Sequence, residues 1–160
     1  MLAAVDVVVT NLADAPEWSR GRALAVTLIH SEALVPELHA DRHEVVLVAD
    51  TSNPLDPTGP KDRHVEALLA LPGVPTLVHC HAGVSRSGAA AYALACRDLP
   101  ERDPREIMSK MPATLRPNRL FVEIADRLLG RGGLMVEACA ERHRVYVPRY
   151  AVAEIRLNRK

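Results

Sequence analysis

A cysteine and an arginine with five residues between them, Cys80 and Arg86, are the pair best equipped for chemistry in this chain. They stand in the run His79-Cys80-His81-Ala82-Gly83-Val84-Ser85-Arg86-Ser87. A thiolate is a strong nucleophile, and a guanidinium is a permanent planar charge whose fork holds two oxygens of a phosphate at once. The residues on either side say how the two are held. Thr76-Leu77-Val78-His79 is apolar and β-branched enough to be a short buried strand, and Gly88-Ala89-Ala90-Ala91-Tyr92-Ala93-Leu94-Ala95 is strongly helix-forming. The run between them therefore joins a strand end to a helix start, where free backbone N–H groups and the positive end of the helix dipole favour an anion and a thiolate. Gly83 allows the positive-φ turn that lets several amides converge. On this reading Cys80 is the nucleophile, and His81, Ala82, Gly83, Val84, Ser85 and Arg86 surround a phosphate.

The rest of the chain must position that loop, and it reads as alternating strands and helices. Strands are expected at Val5–Val9, Leu24–Ile29, Glu44–Ala49 and Thr76–His79. Helices are expected near Asp14-Ala15-Pro16-Glu17, over Pro60–Leu69, after the loop, over Asp103–Met111 and over Pro117–Leu129. The fold class is α/β, with a central, mostly parallel sheet of about four to five strands flanked by helices and a helical C-terminal half. Thr51-Ser52-Asn53-Pro54-Leu55-Asp56-Pro57-Thr58-Gly59 is a surface loop by its turn formers. Gly130-Arg131-Gly132-Gly133 is a break, followed by a helix pattern and by Arg144-Val145-Tyr146-Val147 as an expected edge strand.

The motif His-Cys-x5-Arg-Ser, matched here by His79, Cys80, Arg86 and Ser87, resembles that of the cysteine-dependent protein tyrosine phosphatase superfamily, in particular its compact dual-specificity-like branch. Two further segments carry the resemblance. Asp50 lies thirty residues before Cys80, about where that branch keeps its general acid, and Arg116-Pro117-Asn118-Arg119-Leu120-Phe121 is similar to the segment whose asparagine buttresses the phosphate loop. The resemblance covers roughly Val45 to Leu129. It implies a phosphotyrosine phosphatase-like fold and hydrolysis of a phosphomonoester on protein through a cysteinyl phosphate, with phosphotyrosine and also phosphoserine or phosphothreonine as substrates. It also implies Asp50 as the acid and Ser87 as the group that stabilises the leaving thiolate, with His79 beneath the loop and Asn118 bracing it. Asp50 is chosen over Asp56 on spacing alone. Asn118 after a proline also suits an ordinary helix start.

Composition agrees with a small enzyme. The chain of 160 residues is one domain's length, 48% of it is hydrophobic, and its formal net charge is zero. A neutral chain gives no general basis for nucleic-acid or membrane partners. Residues 1–160 are read as one domain, with 134–160 an extension on which the resemblance is silent. Three cysteines without paired spacing favour a reducing, cytoplasmic setting, as does an N-terminal apolar run that ends at Val9. Cys96 and Cys139 read as core residues. No metal or cofactor is expected: adjacent residues of His79-Cys80-His81 point to opposite faces of an extended chain, and there is no second cluster to complete the four ligands of a zinc site. A competing class is a phosphate-binding module that holds a phosphorylated partner without turning it over.

Overall fold

The computed structural model describes residues 4–145 and 152–159. A five-stranded sheet lies at its centre, built from β1 (Val5–Thr10), β2 (Leu24–Ile29), β3 (Arg42–Leu47), β4 (Thr76–His79) and β5 (Ala153–Leu157) in the order β3-β2-β4-β1-β5. β1, β2, β3 and β4 are mutually parallel, and β5 runs antiparallel to β1. The chain is thus α/β, with α1 (Ala15–Trp18), α2 (Asp62–Leu69), α3 (Arg86–Asp98), α4 (Pro104–Lys110), α5 (Arg119–Leu129) and α6 (Leu134–His143) around a mostly parallel sheet. No described helix is long and apolar enough to cross a membrane.

Strand alternation divides the core in two. Val5, Val7 and Val9, Leu24, Val26 and Leu28, Val78, and Ala153, Ile155 and Leu157 point to the face covered by α3, on which α2 and α5 pack in turn. α3 is buried along its length from Arg86 to Cys96, which its small Gly-Ala-Ala-Ala run permits by letting backbone approach the sheet closely. The opposite face is thinner, with Val8, Ala25 and Leu77 covered by Ala15 of α1 and by Leu38 and Ala40.

Two sequence expectations shift. β3 spans Arg42–Leu47 rather than Glu44–Ala49, because Ala49 N–H bonds to Thr58 O at 2.8 Å and the chain leaves the ladder toward the next loop. Of the edge strand expected at Arg144–Val147, Arg144 and Val145 form a turn after α6, and Tyr146 and Val147 lie outside the described residues; the last described strand is Ala153–Leu157. The alternation Ala-Glu-Ile-Arg-Leu, with Ala153, Ile155 and Leu157 buried and Glu154 and Arg156 exposed, is the signal for that strand.

Candidate active site

The loop from Cys80 to Ser85 sits where β4 ends and α3 begins, at the carboxyl edge of the parallel strands. Its shape depends on Gly83, whose φ is +72°. A Cβ there would lie 2.6 Å from Asn11 N and from the carbonyl carbon of Thr10, so backbone conformation and space both demand glycine. The end of β1 thereby presses against the loop, and Leu12 N–H bonds to His81 O at 3.0 Å. On the far side Arg116 N–H bonds to Val84 O and Asn118 N–H to Ser85 O, each at 3.0 Å.

Inside this frame Cys80 Sγ is 3.1 Å from Ser87 Oγ and receives the Gly83 N–H at 3.3 Å. Cys80, Ser87 and Arg86 are buried. One Nη of Arg86 donates to Val48 O at 3.0 Å, which pins the guanidinium from β3's continuation, while the buried Arg86 Nε has no partner among the described residues. A buried, unpaired donor is costly unless an acceptor arrives. His81 and Ala82 are exposed at the loop's crest, Ser85 is half-buried, and Gly83 and Val84 are buried.

Asp50 is exposed beside the loop. Its Oδ1 accepts the Ser85 hydroxyl at 2.7 Å and Asn118 Nδ2 at 2.9 Å. Asp56 instead turns its carboxylate onto its own loop, accepting Thr58 N–H at 2.9 Å and Thr58 Oγ1 at 2.7 Å. Those bonds, the hydroxyl's foremost, hold its pKa below the usual carboxylate value.

Asn118 does three things. Its Oδ1 caps α5 by accepting Phe121 N–H at 2.9 Å, its Nδ2 reaches Asp50 and Thr51 O, and its backbone N–H holds Ser85. The brace on the loop is therefore the asparagine's main chain, and its side chain ties down the Asp50 segment.

His79 lies beneath the loop, fully buried, with Nδ1 3.1 Å from Cys80 O and Nε2 2.7 Å from Thr27 Oγ1. Both ring nitrogens are thus used within the protein. Burial foremost pushes its pKa down to about 4. Thr27 and His43 Nε2, which lies 2.7 Å from the same hydroxyl, are site-adjacent residues that the sequence reading passed over. They become visible only once β2 is registered against β3 and β4.

The other two cysteines are interior. Burial foremost pushes the Cys96 thiol up to about 12 and the Cys139 thiol up to about 11, and Cys139 Sγ donates to Pro117 O at 3.4 Å. None of the three cysteines is in a disulfide.

No family model matches the chain, and no curated protein matches it. Among solved structures it is similar to OH1 from the Orf virus, described as a tyrosine phosphatase with triple substrate specificity. The similarity covers 86% of this chain and 79% of that one at 21% identity, with a TM-score of 0.43. A likeness of that size bears on neither substrate nor mechanism.

Proposed function

We propose that the chain is a cysteine-dependent phosphatase of the dual-specificity type, hydrolysing phosphomonoesters on phosphorylated protein. The observation that carries the reading is the convergence on one buried sulfur: Cys80 Sγ takes an N–H from Gly83 and faces Ser87 Oγ, one residue on from a pinned Arg86 whose Nε has no partner among the described residues. Cys80 as thiolate attacks phosphorus in line. Arg86 and the loop amides hold the equatorial oxygens as charge spreads over them. Asp50, in its protonated form, gives its proton to the departing ester oxygen, leaving a cysteinyl phosphate. Water then attacks that phosphorus with Asp50 as base, and Ser87 Oγ–H donates to the sulfur as it leaves. His81, Ala82, Gly83, Val84 and Ser85 frame the phosphate.

Geometry supports Asp50 over Asp56 as the acid. Asp50 is fastened to the rim of the loop through Ser85, whereas Asp56 turns its carboxylate onto Thr58 of its own loop. No residue in this scheme needs a metal or cofactor. Three reduced cysteines suit the cytoplasm, where a reactive thiol survives.

The test is hydrolysis of an aryl phosphate with and without chelator, using wild type, Cys80→Ser and Arg86→Ala. Turnover is expected in wild type and unchanged by chelator. Cys80→Ser should abolish it while still binding an oxyanion, because the alcohol stays protonated, and Arg86→Ala should lose both. Wild type that binds phosphopeptide but turns over no aryl phosphate would make the chain a phosphate-binding module instead.

A further inference from the structure

The sheet face turned away from α3 carries three polar side chains in a row. His43 of β3, Thr27 of β2 and His79 of β4 belong to adjacent strands. Thr27 is registered opposite His79, and His43 opposite Ala25, two residues away from Thr27 on the same face. The Thr27 hydroxyl lies 2.7 Å from His43 Nε2 and 2.7 Å from His79 Nε2, and His79 Nδ1 lies 3.1 Å from the carbonyl oxygen of Cys80. Thr27 and His79 are fully buried, and His43 is half-buried at the outer end.

The protons in this row follow from its inner end. A carbonyl oxygen only accepts, so His79 Nδ1 carries a proton. His79 is neutral at neutral pH because burial lowers its pKa, so its Nε2 is bare and accepts. The Thr27 hydroxyl has a single proton and gives it to that nitrogen. It then has only lone pairs for His43, which must present Nε2–H. One arrangement satisfies every bond, and it assigns a tautomer to each ring.

We propose that Thr27 and His43 are positioning residues for Cys80, forming a relay across three strands that fixes the tautomer of His79 and so maintains the N–H that grips the Cys80 carbonyl. The proposal rests on Cys80 being the reactive thiol of the site. Without the Thr27 hydroxyl, the Nε2–H tautomer of His79 becomes available. In that form a bare Nδ1 lone pair meets the carbonyl oxygen, and the grip on Cys80 is lost, with the partial positive charge that the N–H placed on its carbonyl. His43 acts one step further out, by polarising the hydroxyl that its N–H reaches. The charged or titratable groups that act on these rings are Arg86 of α3 and His43 of β3 on His79, and Glu44, the neighbour of His43 on β3 with its side chain toward the other face, on His43.

Thr27→Val removes the hydroxyl, and Thr27→Ser returns it. The readouts are the rate of Cys80 alkylation by iodoacetate as a function of pH, located by mass spectrometry on the full chain, and the imidazole ¹⁵N shifts of His79. Thr27→Val should slow alkylation roughly tenfold at mildly acidic pH, because the thiolate is the reacting form and less of it is present. It should also move His79 toward the Nε2–H form. Thr27→Ser should behave as wild type, and His43→Phe should shift both readouts in the same direction by less. A folded Thr27→Val with the wild-type alkylation profile, or with Nδ1–H still fixed, overturns the proposal. If Thr27→Val does not fold, unchanged His79 shifts in His43→Phe overturn it equally. Alkylation needs no phosphate ester, so wild type that alkylates at Cys80 yet hydrolyses none would end the phosphatase reading and leave the relay standing.

Discussion

The Ser85 hydroxyl donates to Asp50 Oδ1 at 2.7 Å, latching a carboxyl from the loop after β3 onto the rim of the loop after β4. Asn118 Nδ2 reaches the same oxygen from the start of α5. Three segments far apart in sequence thus meet at one atom, and the carboxyl's place above the loop is set before any substrate arrives.

Asp50→Asn keeps the size of the side chain and an oxygen for Ser85 and Asn118, so it isolates the proton. We expect kcat to fall roughly 10²–10⁴-fold with KM little changed, because the proton is needed only in the transition state. The loss should be larger for phosphotyrosine or phosphoserine peptides than for an activated aryl phosphate, whose leaving group needs less protonation. Asp56→Asn should be mild. Steady-state kinetics on both ester types would transfer the acid role to Asp56 if the large, leaving-group-dependent loss appeared there.

The sheet and the loop were legible because their signals are local. Thr76–His79 and Leu24–Ile29 are apolar runs bounded by turns, and both strands fall at those bounds. Cys80, Arg86 and Ser87 lie within one strand-loop-helix unit, so their convergence needs no long-range information. Asp50 could be named by spacing, but its tie to Ser85 spans thirty-five residues and depends on where β3 leaves the sheet. Thr27 and His43 were invisible for the same reason: a threonine in a β-branched strand looks like propensity until strand register places it between two imidazoles. The expected strand at Arg144-Val145-Tyr146-Val147 rests on β-forming residues, of which Arg144 and Val145 turn instead, while Ala153–Leu157 is marked by alternation that only the edge of β1 turns into pairing.

Gly83→Ala should disable the loop. The new Cβ meets main-chain atoms of Thr10 and Asn11 at 2.6 Å, and the residue must also hold a φ of +72°. Strain of that conformation alone is about 1–2 kcal/mol, and the contact adds to it because backbone cannot step aside like a flexible side chain. Thermal melts should show a fall of at least a few degrees, at roughly 2–4 °C per kcal/mol for a chain of this size. Affinity for phosphate or vanadate should fall as well, since the amide that reaches Cys80 Sγ belongs to the same residue. A variant with wild-type melting and oxyanion affinity would mean the end of β1 does not confine the loop.

Peroxide should modify Cys80 first. All three thiols are buried, so the discriminator is ionisation: burial pushes Cys96 up to about 12 and Cys139 up to about 11, which leaves both almost wholly protonated at neutral pH. Mass spectrometry after brief treatment should find oxidation at Cys80, with activity restored by a thiol reductant. Early modification of Cys96 or Cys139 with Cys80 spared would contradict this ordering.

Acid should destabilise the fold through His79. In the unfolded chain this ring takes up a proton as pH falls through 6.5, while in the folded chain it does so only near pH 4, because burial foremost opposes the charge. The folded state's pKa is thus the lower of the two. The stability contributed by the neutral ring is complete above about 6.5 and is lost progressively as pH falls toward 4, by about 3 kcal/mol across that window. His43, whose pKa burial also lowers, adds a smaller loss of the same sign. Urea unfolding of wild type at pH 7 and at pH 4.5 should show this drop. His79→Asn should be less stable at pH 7, having lost two hydrogen bonds, yet should lose less on acidification because the titrating ring is gone. The comparison of slopes, rather than of midpoints, separates His79 from the carboxylates that begin to protonate at the bottom of the same range. Equal slopes for the two proteins would mean that His79 titrates alike in folded and unfolded chains, and that its burial between Thr27 and Cys80 carries no proton-linked cost.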